Sequence, residues 1–167
     1  MAEPSQGGVE IERKWLVDEP PASALTQPAD AIEQGYLAIG ADGSEEVRVR
    51  RRGERCFLTV KAGHGLARAE REVELTPEQF ETLWPATRGR RLEKSRRELE
   101  EAAGGDGDRV VVELDVYEGG LSGLVVAEVE FPDEAAARRF RAPAWFGQEV
   151  TDDDAYKNRR LAVDGRP

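Results

Sequence analysis

The stretch Glu10-Ile11-Glu12-Arg13-Lys14 sets two carboxylates and an ammonium at alternate positions. In a β-strand successive side chains point to opposite faces, so Glu10, Glu12 and Lys14 share one face. The pattern recurs as Arg48-x-Arg50, Glu70-x-Glu72-x-Glu74, Lys94-x-Arg96, Glu113-x-Asp115 and Glu128-x-Glu130. Two carboxylates spaced this way lie about 7 Å apart, from the rise per residue. Oxygen donors suit Mg²⁺ or Mn²⁺, and Mg²⁺ commonly completes its shell with waters and substrate phosphates. Arginine matches phosphate through its planar fork, and lysine acts as a compact charge. Arg48, Arg50, Lys61, Lys94 and Arg96 therefore form a candidate cradle for a chain of phosphates, with mixed signs offsetting one another.

A single Glu-x-Glu carries little weight, because charged rows ordinarily mark the solvated face of a sheet. The weight lies in six rows of fixed parity, and in the elements that must carry them. Strands are expected over about Val9–Val17, Ile32–Ile39, Glu46–Arg52, Cys56–Lys61, Ala67–Leu75, Leu92–Glu100, Arg109–Tyr117 and Leu124–Phe131. Gly53-Glu54 makes a two-residue hairpin, and the glycine-rich Ala103–Asp108 joins another pair. Thr76-Pro77-Glu78-Gln79 opens a helix: a threonine cap, proline at the first position and glutamine three residues after the cap. Phe80, Leu83, Trp84 and Thr87 share its packing face. Pro132-Asp133-Glu134 opens a second helix through about Arg141, and Asp152–Val163 reads as a third.

Most strands are joined by tight turns, which implies antiparallel neighbours and a β-dominated α+β fold. Val112, Leu114 and Val116 oppose Glu113, Asp115 and Tyr117, so helices can cover the apolar faces. The charged faces then either meet water or close on one another into a polar interior.

The chain has 167 residues, a net charge of −10 and a pI near 4.8. That length fits one domain spanning 1–167, with a core at about 9–162 and a flexible tail at 1–8. An acidic chain is a poor nonspecific binder of nucleic acid. No run approaches a membrane span, and the N-terminus lacks a secretory pattern. Cys56, the single cysteine, falls in an expected strand and reads as a buried apolar residue. A cytoplasmic location follows as the default.

The ordered set of motifs resembles the CYTH superfamily, the triphosphate tunnel metalloenzymes. Glu10-Ile11-Glu12-Arg13-Lys14-Trp15-Leu16-Val17 is similar to the Glu-x-Glu-x-Lys opening of that superfamily. The likeness continues through Gln34-Gly35-Tyr36-Leu37, Val47–Arg50, Leu58–Lys61, Leu92–Arg96, Val112–Asp115, Ala127–Glu130 and Ala155–Asn158. The nearest resemblance is to short bacterial members that hydrolyse inorganic tripolyphosphate. It implies a closed eight-stranded antiparallel β-barrel with flanking helices, whose tunnel takes a small-molecule triphosphate.

Carried over by position, Glu10, Glu12, Asp115, Glu128 and Glu130 resemble the metal ligands. Lys14, Arg48, Arg50, Lys61, Lys94, Arg96 and Lys157 resemble the phosphate-holding cations. The catalytic candidates are Glu10, Glu12 and Lys94, with Tyr36 as a hydroxyl helper near Lys94 set against a purely structural role. The resemblance implies one metal bridging the phosphates and a second, held by the first Glu-x-Glu, activating the attacking water. Thiamine triphosphatase and class IV adenylate cyclase activities belong to the same superfamily and stay open as alternatives. A non-catalytic polyphosphate-binding module is the alternative of another class, and a homodimer remains open.

Other residues have plainer readings. Glu70, Glu72 and Glu74 line the tunnel by parity, as metal contacts or as partners of neighbouring cations. His64, between glycines, is a solvated loop residue. Trp84 and Trp145-Phe146 belong to packing.

Overall fold

The computed structural model describes residues 8–64, 67–102 and 109–167. The alternating segments form eight strands: β1 (Gly8–Leu16), β2 (Asp30–Ile39), β3 (Glu45–Arg52), β4 (Arg55–Ala62), β5 (Ala67–Leu75), β6 (Arg91–Ala102), β7 (Arg109–Tyr117) and β8 (Val125–Glu130). All pairings are antiparallel, and the order β1-β5-β4-β3-β2-β6-β7-β8 closes on itself as a barrel. Four short helices flank it: α1 (Ala22–Leu25), α2 (Pro77–Leu83), α3 (Glu134–Arg139) and α4 (Asn158–Asp164).

Apolar packing lies largely outside the barrel wall, because the inward parity is charged. Ile11 and Trp15 of β1, Val112 and Leu114 of β7, and Ala127 and Val129 of β8 form one cluster with Ala137 of α3 and with Phe131, Phe140 and Phe146. Trp15 stands 5.5 Å from Phe140 and 5.0 Å from Phe146, ring centre to ring centre. Each buried aromatic contributes about 2 kcal/mol through apolar area removed from water. A second cluster seats Phe80 of α2 on Val49 and Cys56. A third sits at one end of the barrel, where Leu161 and Ala162 of α4 pack with Tyr36, Leu92, Tyr117 and Val126.

Strand β1 divides its pairing. Gly8–Ile11 pairs with β5 and Glu12–Leu16 with β8. The remaining edge of its second half is covered by residues 147–150. Leu16 N–H donates to Gln148 O at 2.8 Å, Gly147 N–H to Leu16 O at 2.8 Å and Val150 N–H to Lys14 O at 2.8 Å. An edge that would otherwise invite another chain is thereby satisfied.

The Thr76 capping box forms as expected, with Thr76 accepting from Gln79 N–H and Gln79 Oε1 accepting from Thr76 N–H. That helix is shorter than its apolar face implies and passes into a 3₁₀ turn at Trp84–Thr87, where Pro85 removes a donor. The second expected helix stops at Arg139, because Phe140 turns extended with ψ 131°. The third is broken. A 3₁₀ turn at Asp154–Tyr156 gives way to extended Lys157 (φ −69°, ψ 138°) before α4 begins. The expected tail at 1–8, the Ala103–Asp108 connection and part of the link after His64 lie outside the described residues, apart from Gly8, which begins β1.

Candidate active site

The charged rows point inward and line a cavity of about 800 Å³ inside the barrel. Glu10, Glu12, Lys14, Arg48, Arg50, Lys61, Lys94, Arg96, Glu128, Glu130 and Lys157 all reach it. Glu70, Glu72 and Glu74 of β5 reach it as well, as their parity requires. Among the described residues, acids and bases line it in equal number, eleven of each.

One wall is a closed ion network. Asp115 is fully buried and receives Arg96 through Nε at 2.6 Å and Nη2 at 2.7 Å, and Lys94 Nζ at 2.5 Å. Burial works to raise its carboxyl, but Arg96 and Lys94 hold it below the usual carboxylate range. Arg96 also donates to Glu128 Oε2 at 2.8 Å and to Glu113. Lys14 Nζ lies 2.7 Å from the other oxygen of Glu128. Burial opposes the Glu128 charge too, and Lys14, Lys94 and Arg96 overcome it, holding that carboxyl well below its ordinary value.

A second wall gathers carboxylates. Glu12 sits directly across from Glu130 in the β1–β8 pairing. Burial, followed by the charges of Glu10, Glu113, Glu70 and Glu12, pushes the Glu130 carboxyl above the usual range. Lys61 reaches Glu10, and Glu70 at 2.9 Å, and Arg96 reaches Glu113, while among the described residues Glu12 and Glu130 form no salt bridge. Among the described residues no three His, Cys, Asp or Glu side chains converge tightly enough to chelate an ion alone. The donor set is nevertheless all oxygen and carries excess like charge. It fits a hard cation that takes one or two carboxylates and fills its remaining positions with water and phosphate.

The cations divide in the same way. Arg48 is buried, forms no carboxylate salt bridge among the described residues and leaves its Nε without a partner. Burial opposes its charge, while Tyr36, Glu46, Glu70 and Glu10 outweigh that and keep it firmly protonated. Arg50 faces Glu72 at 3.2 Å, and burial beside Arg48 and Arg96 brings it down to about 10. Lys157 donates to Thr151 O at 2.6 Å, and burial beside Lys14 lowers it. Its extended backbone, the break in the expected third helix, is what turns the ammonium into the cavity.

Thus the structure gathers Glu10, Glu12 and Glu130 on one acidic patch, whereas Asp115 and Glu128 are engaged by cations in the wall. Asp115 does not line the cavity. Tyr36 is fully buried in the cluster beneath α4, and its hydroxyl accepts from Gln34 Nε2 at 2.9 Å. Burial, then the Glu46 charge, raises its phenol well above the ordinary value. His64 is exposed, with Asp42 its near neighbour at 3.6 Å. Sequence reasoning passed over Glu46, Arg52, Arg68 and Arg159, which also line the cavity. Strand parity contained the signal for the first three. Arg159 gave none, because a helix has no inward parity until the broken segment before it is known.

A closed antiparallel barrel whose interior is lined by acids and phosphate-matching cations defines a triphosphate tunnel protein. No protein-family model matches the chain. It is 47% identical over 154 residues to an inorganic triphosphatase of Nitrosomonas europaea, covering 92% of this chain and 97% of that protein. It is 35% identical over 156 residues to an inorganic triphosphatase of Acetivibrio thermocellus, covering 92% and 93% respectively. A crystal structure of an inorganic triphosphatase superposes with a TM-score of 0.66 at 43% identity, over 95% of this chain and 97% of that one. The chain belongs to the inorganic triphosphatase family.

Proposed function

We propose that this protein hydrolyses the terminal phosphoanhydride bond of inorganic tripolyphosphate inside the tunnel, with Mg²⁺ or Mn²⁺. The observation that carries this reading is the charge balance of the cavity. Among the described residues eleven acids offset eleven bases, so attraction for a highly charged polyanion comes from local groups of cations and not from the net charge of the tunnel. Divalent cations drawn to Glu10, Glu12 and Glu130 tip that balance, and they do so where like charge already strains Glu130.

Bound there, such a cation supplies charge neutralisation and lowers the pKa of a coordinated water. The side chains do the rest. Arg48 and Lys157, which form no carboxylate salt bridge among the described residues, hold phosphate oxygens, with Arg50 and Lys61 beside them. Lys94 and Arg96, fixed by Asp115, present cations in a set orientation toward charge that develops on the leaving oxygen. Burial and Arg96 lower the Lys94 ammonium from its ordinary value, and Asp115 opposes them. Tyr36 supports the cradle through Gln34 and Arg48.

The test is phosphate release from tripolyphosphate, ATP and thiamine triphosphate, each with Mg²⁺ and with Mn²⁺. Tripolyphosphate should be preferred, and Glu12→Ala should abolish turnover. Cyclic AMP from ATP without phosphate release from tripolyphosphate would replace the hydrolase reading.

A further inference from the structure

Beyond the cations assigned above, the end of the cavity covered by α4 holds two arginines, Arg68 and Arg159, that the proposed reaction does not use. Glu46 is 5% exposed and faces three guanidinium groups. Arg68 Nη1 lies 3.4 Å from Glu46 Oε2, and Arg159 Nη1 lies 4.0 Å from the same oxygen. Arg48 adds the third charge and raises no salt bridge of its own. The contacts are long, and a second Arg68 bond, to Ser44 O, is also 3.4 Å. Both Arg48 Nε and Arg68 Nε are buried without a partner.

One carboxylate thus stands among three guanidinium groups, two of which keep an unused buried donor. Guanidinium groups pair with tetrahedral oxyanions at shorter range and through two bonds. Arg159 is itself built into place: Asp154 holds one side of its guanidinium. That same side lies over Gly43, where any Cβ would meet Nη2 at 2.8 Å and Nε at 2.9 Å.

We infer that Arg68 and Arg159, with Arg48, form an anion subsite for one phosphate unit of the substrate, and that Glu46 is its resident stand-in. In the empty tunnel Glu46 offsets the repulsion among the arginines. When a phosphate enters, it takes the inner guanidinium donors and competes with that carboxylate. Glu46 therefore weakens anion binding and favours release. The subsite rests on the triphosphatase reading for the identity of its ligand, but its anion binding is measurable without turnover.

The experiment is calorimetric titration of the intact protein with tripolyphosphate and with pyrophosphate in the presence of EDTA, followed by steady-state kinetics with metal. Arg68→Ala and Arg159→Ala should each weaken tripolyphosphate binding about tenfold and raise KM with kcat within about twofold. Arg159→Lys, which keeps the charge, should recover part of the affinity. Glu46→Gln should do the opposite, tightening both ligands several-fold and lowering KM. Thermal midpoints near the wild-type value show that each variant folds, and Arg159→Lys carries the test if Arg159→Ala does not.

Wild-type affinity in both arginine variants, or weaker binding in Glu46→Gln, overturns the subsite. Wild-type binding that responds to these variants, with no hydrolysis under any metal, supports the subsite and overturns the triphosphatase reading instead.

Discussion

Lys94 Nζ stands 2.5 Å from Asp115 Oδ2, and neither side chain is more than 2% exposed. The pair is completed by the fork of Arg96 on the same carboxylate, so Asp115 anchors two cations at once. By sequence position Asp115 resembles a metal ligand, but its oxygens are already engaged within the wall. Asp115→Ala leaves two buried cations without their shared counter-charge, a loss of about 3 kcal/mol in stability. The loss should be the same with and without divalent metal, read by urea unfolding in each condition. A stability loss seen only with metal present would restore Asp115 to direct coordination.

Glu130 makes the converse case. Its carboxyl is held up by burial and by Glu10, Glu113, Glu70 and Glu12, so its ionised form works against the empty fold. A carboxyl with a raised folded pKa contributes less to stability as pH rises through that value. Glu130→Gln should raise the thermal midpoint of the metal-free protein at pH 8 and leave it nearly unchanged at pH 4. The same variant should reduce the midpoint increase that Mg²⁺ or Mn²⁺ produces, because a ligand is lost. Equal metal stabilisation in wild type and variant would remove Glu130 from the metal set.

Gly35 supports the barrel where β2 meets the turn after α2. A Cβ built on it would lie 2.5 Å from Thr87 Oγ1 and 2.6 Å from Thr87 Cβ. Thr87 has no room to retreat: it is fully buried, donates to Trp84 O at 2.7 Å and accepts from Arg91 Nε at 2.8 Å. Gly35→Ala should therefore cost about 2 kcal/mol through overpacking. Chemical denaturation reads it directly, and an unchanged midpoint would mean that the Trp84–Thr87 turn is free to shift.

Strand parity made much of this molecule legible before any coordinates. Glu10 and Glu12 face inward because Ile11 and Trp15 must face the aromatic cluster outside. The same logic places Arg48, Lys61, Glu70 and Glu128 in the lumen. Parity assigns direction but says nothing about partnership. It groups Asp115 and Glu128 with Glu130, although two are neutralised by cations on neighbouring strands and one is surrounded by acids. Those partners come from register, which a sequence pattern does not specify between strands distant in the chain. The break at Lys157 was equally hidden. The segment Asp152–Val163 has helix-compatible residues throughout, and it is the cap from Asp153 to Ala155 N–H that closes a separate short turn first.

Arg13 and Glu149 join the barrel to the segment that covers the open edge of β1. Arg13 Nε donates to Glu149 Oε1 at 2.8 Å and Nη2 to Oε2 at 2.7 Å, a two-bond fork, while Thr151 Oγ1 adds a third bond at 2.7 Å. Arg13, through these hydrogen bonds, lowers the Glu149 carboxyl below its usual value. A carboxyl depressed in the folded state adds stability that is present above its unfolded pKa, about 4.3, and lost as pH falls through the folded value. The Glu149 side chain is 39% exposed, so solvent screening limits the contribution to under about 1 kcal/mol. Glu149→Gln should therefore be slightly less stable than wild type at pH 7, with the gap narrowing as pH falls below the unfolded value of about 4.3 and the wild-type carboxyl protonates. Urea unfolding across that range measures both. A gap that does not narrow as pH falls would mean that packing around residues 147–150, and not the charge, accounts for the loss.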